Sequence, residues 1–179
     1  MTTPLRSKVS WATERYRNAC RNKAKNRERI RIAGEAWYYI APFHTDVNRA
    51  LQDLRRREFE AGRYNPVQPF PEFPVDLDKP GPGAQHASIE DAIEASDMDG
   101  TRSILDMEGI AATPGPGMVT ELPADLAEEL FAGEQPTAAM VEDVLAVLGQ
   151  LVDRGQGVYV VLYQGDAPSE ILFAGVSWD

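Results

Sequence analysis

The sequence contains few of the residues that most often carry out chemistry. Of its 179 residues, one is cysteine and two are histidine. Cys20 has no partner for a disulfide within the chain, which is typical of a reducing compartment, so we expect a cytoplasmic protein. Zinc sites need clustered cysteine and histidine ligands, and the distant pair His44 and His86 does not provide them. The composition therefore predicts no metal site.

Long apolar runs and glycine-based binding motifs are also missing. No segment approaches the roughly 18 consecutive apolar residues of a membrane helix. Charged residues interrupt the N-terminus, where a signal peptide has its apolar core. There is no G-x-S-x-G nucleophile motif, and neither Pro-Gly-Pro-Gly segment, at 80–83 and 114–117, is followed by G-K-[ST]. We therefore expect no membrane partner, no nucleotide fold and no cofactor.

One acidic segment has part of the spacing of a calcium loop. Asp97, Asp99, Thr101 and Glu108 match positions one, three, five and twelve of an EF-hand loop. Position six, however, is Arg102, where the sharp turn of the loop requires glycine. We expect instead an acidic turn that ends a helix.

What the sequence does have is an uneven distribution of charge. The net charge is −10, but residues 1–35 carry +7, residues 36–63 carry +1 and residues 64–179 carry −18. Such a separation affects association and solubility and does not by itself predict a fold. We divide the chain into a basic N-terminal helical arm at 1–35 and an acidic domain at 36–179.

The basic arm is the strongest functional feature of the sequence. Its cations would neutralise several phosphates of a nucleic acid, and Trp11 and Tyr16 would stack on bases. The same cations would equally bind an acidic protein surface, on a partner or on this chain's own domain, or remain solvated. The residues assigned to nucleic-acid or acidic-partner binding are Arg17, Arg21, Lys23, Lys25, Arg27, Arg29 and Arg31.

The first half of the chain predicts helix, strand and helix. An apolar stripe favours a helix over 6–33. Aromatic and β-branched residues in the segment 35–43, in which Pro42 ends the run, then indicate a buried strand. Thr45 or Asp46 is expected to begin a second helix, which ends at Gly62.

The second half predicts a long loop followed by short helices and strands. Residues 65–87 contain six prolines and form an irregular loop, part of which packs against the domain. Patterning predicts strands at 103–107 and 117–120 and helices that begin at Ser88, Pro123 and Thr137.

The C-terminus predicts a β-hairpin. Strands at 158–163 and 171–176 flank a six-residue loop, and both faces of each strand are apolar, which indicates cover on both sides. The whole pattern predicts an α+β fold: a small, mostly antiparallel sheet with a C-terminal hairpin, packed by several helices.

Four segments taken together resemble an uncharacterised family of small bacterial proteins. They are Trp37–Phe43, Ser103–Asp106, Gly157–Tyr159 and Glu170–Gly175. The likeness covers approximately residues 36–179 and leaves the basic arm outside. Because these segments are mostly strand cores, the resemblance implies no activity and no functional residue.

Three hypotheses for the function remain open. The first is a non-enzymatic bacterial interaction or regulatory protein, of the immunity or antitoxin kind, whose acidic surface binds a partner protein. The second is a nucleic-acid-associated protein that binds through the basic arm. The third is a small enzyme that uses His44 or His86 in a pocket beneath the 65–87 loop, although His44 is more typical of a residue that bonds backbone at a helix start. We favour the first, with no residue assigned to catalysis, because no catalytic arrangement is found.

Overall fold

The computed structural model of the protein describes residues 35–75 and 79–179. In this part of the chain, the strands are β1 (Ala36–Pro42), β2 (Gly109–Ala111), β3 (Met118–Glu121), β4 (Gln156–Gln164) and β5 (Ala167–Val176). The α-helices are α1 (Val47–Ala61), α2 (Ile89–Ser96), α3 (Ala124–Leu130) and α4 (Val141–Leu151). The predicted helix over 6–33, Cys20 and the seven cations assigned to binding lie outside the described residues, and the division of the chain at residue 35 stays a prediction.

The strands form one sheet in the order β1-β5-β4-β3-β2. The two long pairings, β1 with β5 and β4 with β5, are antiparallel, whereas the short pairings of β3 with β4 and with β2 are parallel. The α+β fold with its C-terminal hairpin is therefore confirmed. Helices α3 and α4 lie in the crossover from β3 to β4, which a parallel pair requires.

Both faces of the sheet are covered by hydrophobic packing. Alternate residues of its central strands point to opposite sides and belong to two different clusters. Tyr39 and Phe173 belong to one hydrophobic cluster with the inner stripe of α1. Leu172 belongs to a second cluster with Leu126 of α3 and Leu148 of α4. Within the described residues, no helix is both long and apolar enough to cross a membrane.

The predicted helix boundaries are confirmed where side-chain chemistry sets them. The Asp46 carboxylate accepts the Arg49 N–H at 3.1 Å at the start of α1, and Gly62 ends that helix with a φ of 70°. Ser88 begins α2 by accepting the Asp91 N–H at 3.1 Å. Such caps satisfy backbone groups that have no partner inside the helix.

Three local predictions differ from the structure. The strand expected at 103–107 is wrong: Ile104–Asp106 forms a 3₁₀ turn, because the Ser103 hydroxyl accepts the Leu105 N–H at 3.3 Å in competition with a sheet ladder. The hairpin loop is the two-residue turn 165–166 instead of six residues. Thr137 makes no side-chain cap, and a 3₁₀ turn, Ala138–Met140, precedes α4.

Trp178 packs on Gly155, where a larger residue would have to displace the indole ring. A Cβ built at Gly155 would lie 2.5–2.6 Å from three carbons of the Trp178 ring, well inside van der Waals contact. The φ of Gly155 is 66°, in the left-handed region that favours glycine. The next residue, Asp179, pairs with Arg102 at 2.8 Å. The segment after β5 is therefore attached to the body of the domain.

We expect Gly155→Ala to lower the free energy of unfolding by about 2–4 kcal/mol, since it adds a steric conflict with Trp178 to backbone strain. Gly165→Ala is the matched control. Gly165 has a similar φ of 61°, but a Cβ there meets nothing within 4 Å. Urea denaturation of both variants isolates the contact with the indole. Equal losses in the two variants would show that this contact contributes nothing.

Candidate partner-binding groove

A groove opens where the parallel pairing of β3 with β4 stops. The last pair of this ladder is Glu121 with Tyr159, and one further bond joins the Leu122 N–H to the Tyr159 carbonyl at 3.0 Å. Pro123 then begins α3 as its N-cap residue, so the chain leaves the sheet at this point. Strand β4 runs on to Gln164 without β3 beside it.

The edge of β4 beside the groove has an unpaired backbone at Val161. On this side of β4, the Tyr159 carbonyl accepts from Leu122, and the Tyr163 N–H donates to the Pro136 carbonyl at 2.8 Å. Val161 lies midway between those two residues, so its N–H and C=O point in the same direction. Neither group has a backbone partner among the described residues. An extended segment from another chain would meet one donor and one acceptor here.

Carboxylates surround this groove, which has a volume of about 720 Å³. Glu121, Glu128 and Glu134 line it, and all three are exposed to solvent. None of them forms an ion pair within the described part of the chain. No lysine or arginine of that part lines the groove. The negative potential of the three carboxylates is therefore not neutralised locally.

The excess of acid extends beyond the groove. Residues 103–179 contain thirteen Asp and Glu residues and a single cation, Arg154, which precedes β4 at the end of the strand away from the groove. Arg57 of α1 and Arg63, which follows the end of that helix, bind the buried Glu58 carboxylate at 2.9 and 2.8 Å. These two arginines are therefore already engaged in an internal ion cluster.

Two tyrosines add aromatic surface to the groove. Tyr159 and Tyr163 both line it, one on each side of Val161 along β4. Burial raises the pKa of Tyr159, and the neighbouring Glu121 carboxylate raises it further. Tyr159 is thus a neutral phenol at physiological pH. Aromatic rings beside carboxylates are typical of surfaces that bind lysine or arginine side chains.

The proline-rich segment packs against the domain in part. The ring of Phe73 meets that of Tyr39 edge to face, with centroids 5.2 Å apart, whereas Phe70 is 66% exposed. Pro74 and Val75 line two smaller cavities, of about 240 and 260 Å³. Each of these cavities is lined by charges of both signs, in contrast to the acidic groove.

The two histidines lie outside all three of these cavities. His44 precedes α1, and its Nδ1 accepts the Asp46 N–H at 2.9 Å, so it bonds backbone at a helix start. The Nδ1 of His86 lies 3.0 Å from the hydroxyl of the buried Tyr64. Among residues 35–75 and 79–179, no three His, Cys, Asp or Glu side chains are placed to hold a metal ion.

Asp106 is a buried carboxylate in the segment with the partial calcium spacing. Its Oδ1 accepts the Thr101 N–H at 2.8 Å, whereas its Oδ2 is buried without a hydrogen-bond partner. Burial raises the pKa of Asp106 to about 6, although the bond from Thr101 lowers it. Arg102 pairs with Asp99 at 3.3 Å and with Asp179 at 2.8 Å. The segment is a turn held by internal hydrogen bonds and ion pairs.

Because the pKa of Asp106 is raised on folding, the folded protein holds this proton more tightly than the unfolded chain. The contribution of Asp106 to stability therefore falls as pH rises from about 4 to about 6 and is constant above that range. Wild type should lose about 2 kcal/mol of its free energy of unfolding between pH 4 and pH 7 through Asp106, and Asp106→Asn should abolish this loss.

The measurement is urea denaturation of wild type and variant across this range, with the exposed Asp166→Asn as control. The difference between wild type and Asp106→Asn should change with pH, and the difference for the control should not. A difference for Asp106→Asn that stays constant would contradict the raised pKa.

Comparison with protein-family models, curated proteins and solved structures found no match to the chain. The site is therefore defined by its own geometry. The seven cations of the arm lie outside the described residues, so their assignment to nucleic-acid or acidic-partner binding stays a prediction. The groove itself was not predicted from the sequence. The three glutamates belong to the segment 64–179, whose net charge of −18 is evident from the sequence. They come together only through the crossover from β3 to β4, which the sequence does not predict.

Proposed function

We propose that this chain is a non-enzymatic bacterial interaction or regulatory protein, of the immunity or antitoxin kind, that binds a basic partner protein through the acidic groove. The single observation that carries this proposal is the set of Glu121, Glu128 and Glu134 around one groove that no lysine or arginine of the described residues lines. The lone cysteine supports a cytoplasmic site of action, as argued from the sequence.

The electrostatics favour a protein with an excess of lysine and arginine. Unpaired surface carboxylates attract such a partner over distances of about 10 Å at 0.1 M salt, which raises the association rate and selects against acidic competitors. A nucleic acid would be repelled by the same surface. The groove also offers apolar contact, because Leu122, Pro123 and Ala127 line it together with the glutamates.

Replacement of the three groove glutamates by glutamine tests the proposal. The variant E121Q/E128Q/E134Q should bind a peptide of alternating lysine and valine about tenfold more weakly than wild type at low salt, since three exposed ion pairs are lost. Fluorescence anisotropy of the labelled peptide measures this change. Wild-type binding should also weaken as salt is added.

The matched control is E60Q/E90Q/E94Q, which removes the same charge from exposed positions on α1 and α2. The control should bind within about twofold of wild type. Equal weakening of the two triple variants would show that the peptide responds to net charge alone. In that case, the groove is not the binding site.

A further inference from the structure

We infer that the groove receives an extended, lysine- or arginine-bearing segment of the partner, whose backbone pairs with Val161 at the open edge of β4. This inference rests on the proposed function and specifies the form of the partner. The two are supported by different observations. The inference depends on the open backbone of Val161 in β4, whereas the proposed function depends on the negative charge of the groove.

The backbone of Val161 is open because the chain leaves the sheet just after β3. In a continued parallel ladder, the Val161 N–H would donate to the Leu122 carbonyl, and its C=O would accept an N–H two residues further along that chain. Neither bond is present within the described residues. At Pro123 the chain leaves the sheet and enters α3, so the next strand position beside β4 is not filled by this segment.

The open stretch is short and has two closed ends. At one end the Leu122 N–H donates to the Tyr159 carbonyl, and at the other the Tyr163 N–H donates to the Pro136 carbonyl. Four residue steps along β4 span about 13 Å. The groove therefore pairs with two or three residues of an extended segment, and the rest of the partner must leave the sheet on both sides.

Side chains of such a segment would meet acid on both faces of the sheet. Glu121 is the register partner of Tyr159, so the two side chains lie on the same face of the sheet. Glu128 belongs to α3, whose Leu126 packs into the cluster on the opposite face. Since successive residues of an extended segment point to opposite faces, lysines or arginines at alternate or adjacent positions reach a carboxylate.

The probe is a seven-residue peptide of alternating valine and lysine, added to the full chain labelled with ¹⁵N. Addition of the peptide should move the amide resonance of Val161 and slow its hydrogen exchange at least tenfold, because the amide gains an acceptor. Leu162 is the internal control. Its N–H points toward β5, where it pairs with Glu170, and its exchange should be slow in both states.

Two further peptides carry N-methyl groups on all valines or on all lysines. Each set removes the N–H groups from one edge of the extended peptide, so one of the two peptides should lose the protection of Val161 and bind about tenfold more weakly. Binding without protection at Val161, or protection that both methylated peptides retain, would overturn strand pairing.

Protection of Val161 in the free chain would also overturn the inference, because the edge would then be covered by this protein itself, in one copy or between two. Failure of strand pairing is distinguishable from failure of the proposed function. If E121Q/E128Q/E134Q weakens peptide binding while Val161 stays unprotected, the acidic groove survives and only the mode of binding is wrong.

Discussion

Burial of β5 on both faces is the constraint on which the rest of the domain depends. Residues Ile171 to Val176 are buried without interruption, and the two hydrophobic clusters lie on opposite sides of this strand. Because both faces of β5 are buried, its backbone must bond within the sheet, to β1 on one edge and to β4 on the other. The helices pack on its two faces. Unpaired backbone groups are therefore expected where a neighbouring strand ends, and not at the centre of the sheet.

The end of β3 is one such place, and three glutamates line the groove that opens there. The chain leaves the ladder at Pro123, so the Val161 backbone has no backbone partner among the described residues. The segment that leaves the sheet brings Glu128 and Glu134 into the lining of the groove together with Glu121. By contrast, the buried Glu58 carboxylate is neutralised internally by Arg57 and Arg63. The groove glutamates have no such partners in the described residues. Mutual repulsion of these three carboxylates opposes folding. Their common position at one groove therefore fits the proposed role in binding a basic partner, and not a role in stability.

Much of the fold follows from the sequence, because its signals are local. Asp46, Ser88 and Gly62 set helix boundaries through their own side-chain or backbone chemistry, and the apolar runs of β4 and β5 indicate a hairpin covered on both faces. The apolar residues at 103–107 were misread as strand, since Ser103 and Asp106 bond nearby backbone and hold a turn in the core. Strand β2 has three residues, too few to show a period. The groove could not be predicted, because Glu121 and Tyr159 become neighbours only through the parallel register.

The most direct test of the acidic groove is site-specific photo-crosslinking in the native host. A photoreactive residue at Ala124, which is exposed and lines the groove, is compared with one at the exposed Glu94 of α2. We predict crosslinks from position 124 to a protein rich in lysine and arginine, through residues of an extended segment, and none from position 94. The same adducts from both positions, or no adduct from position 124, would contradict the assignment of the groove as the binding site.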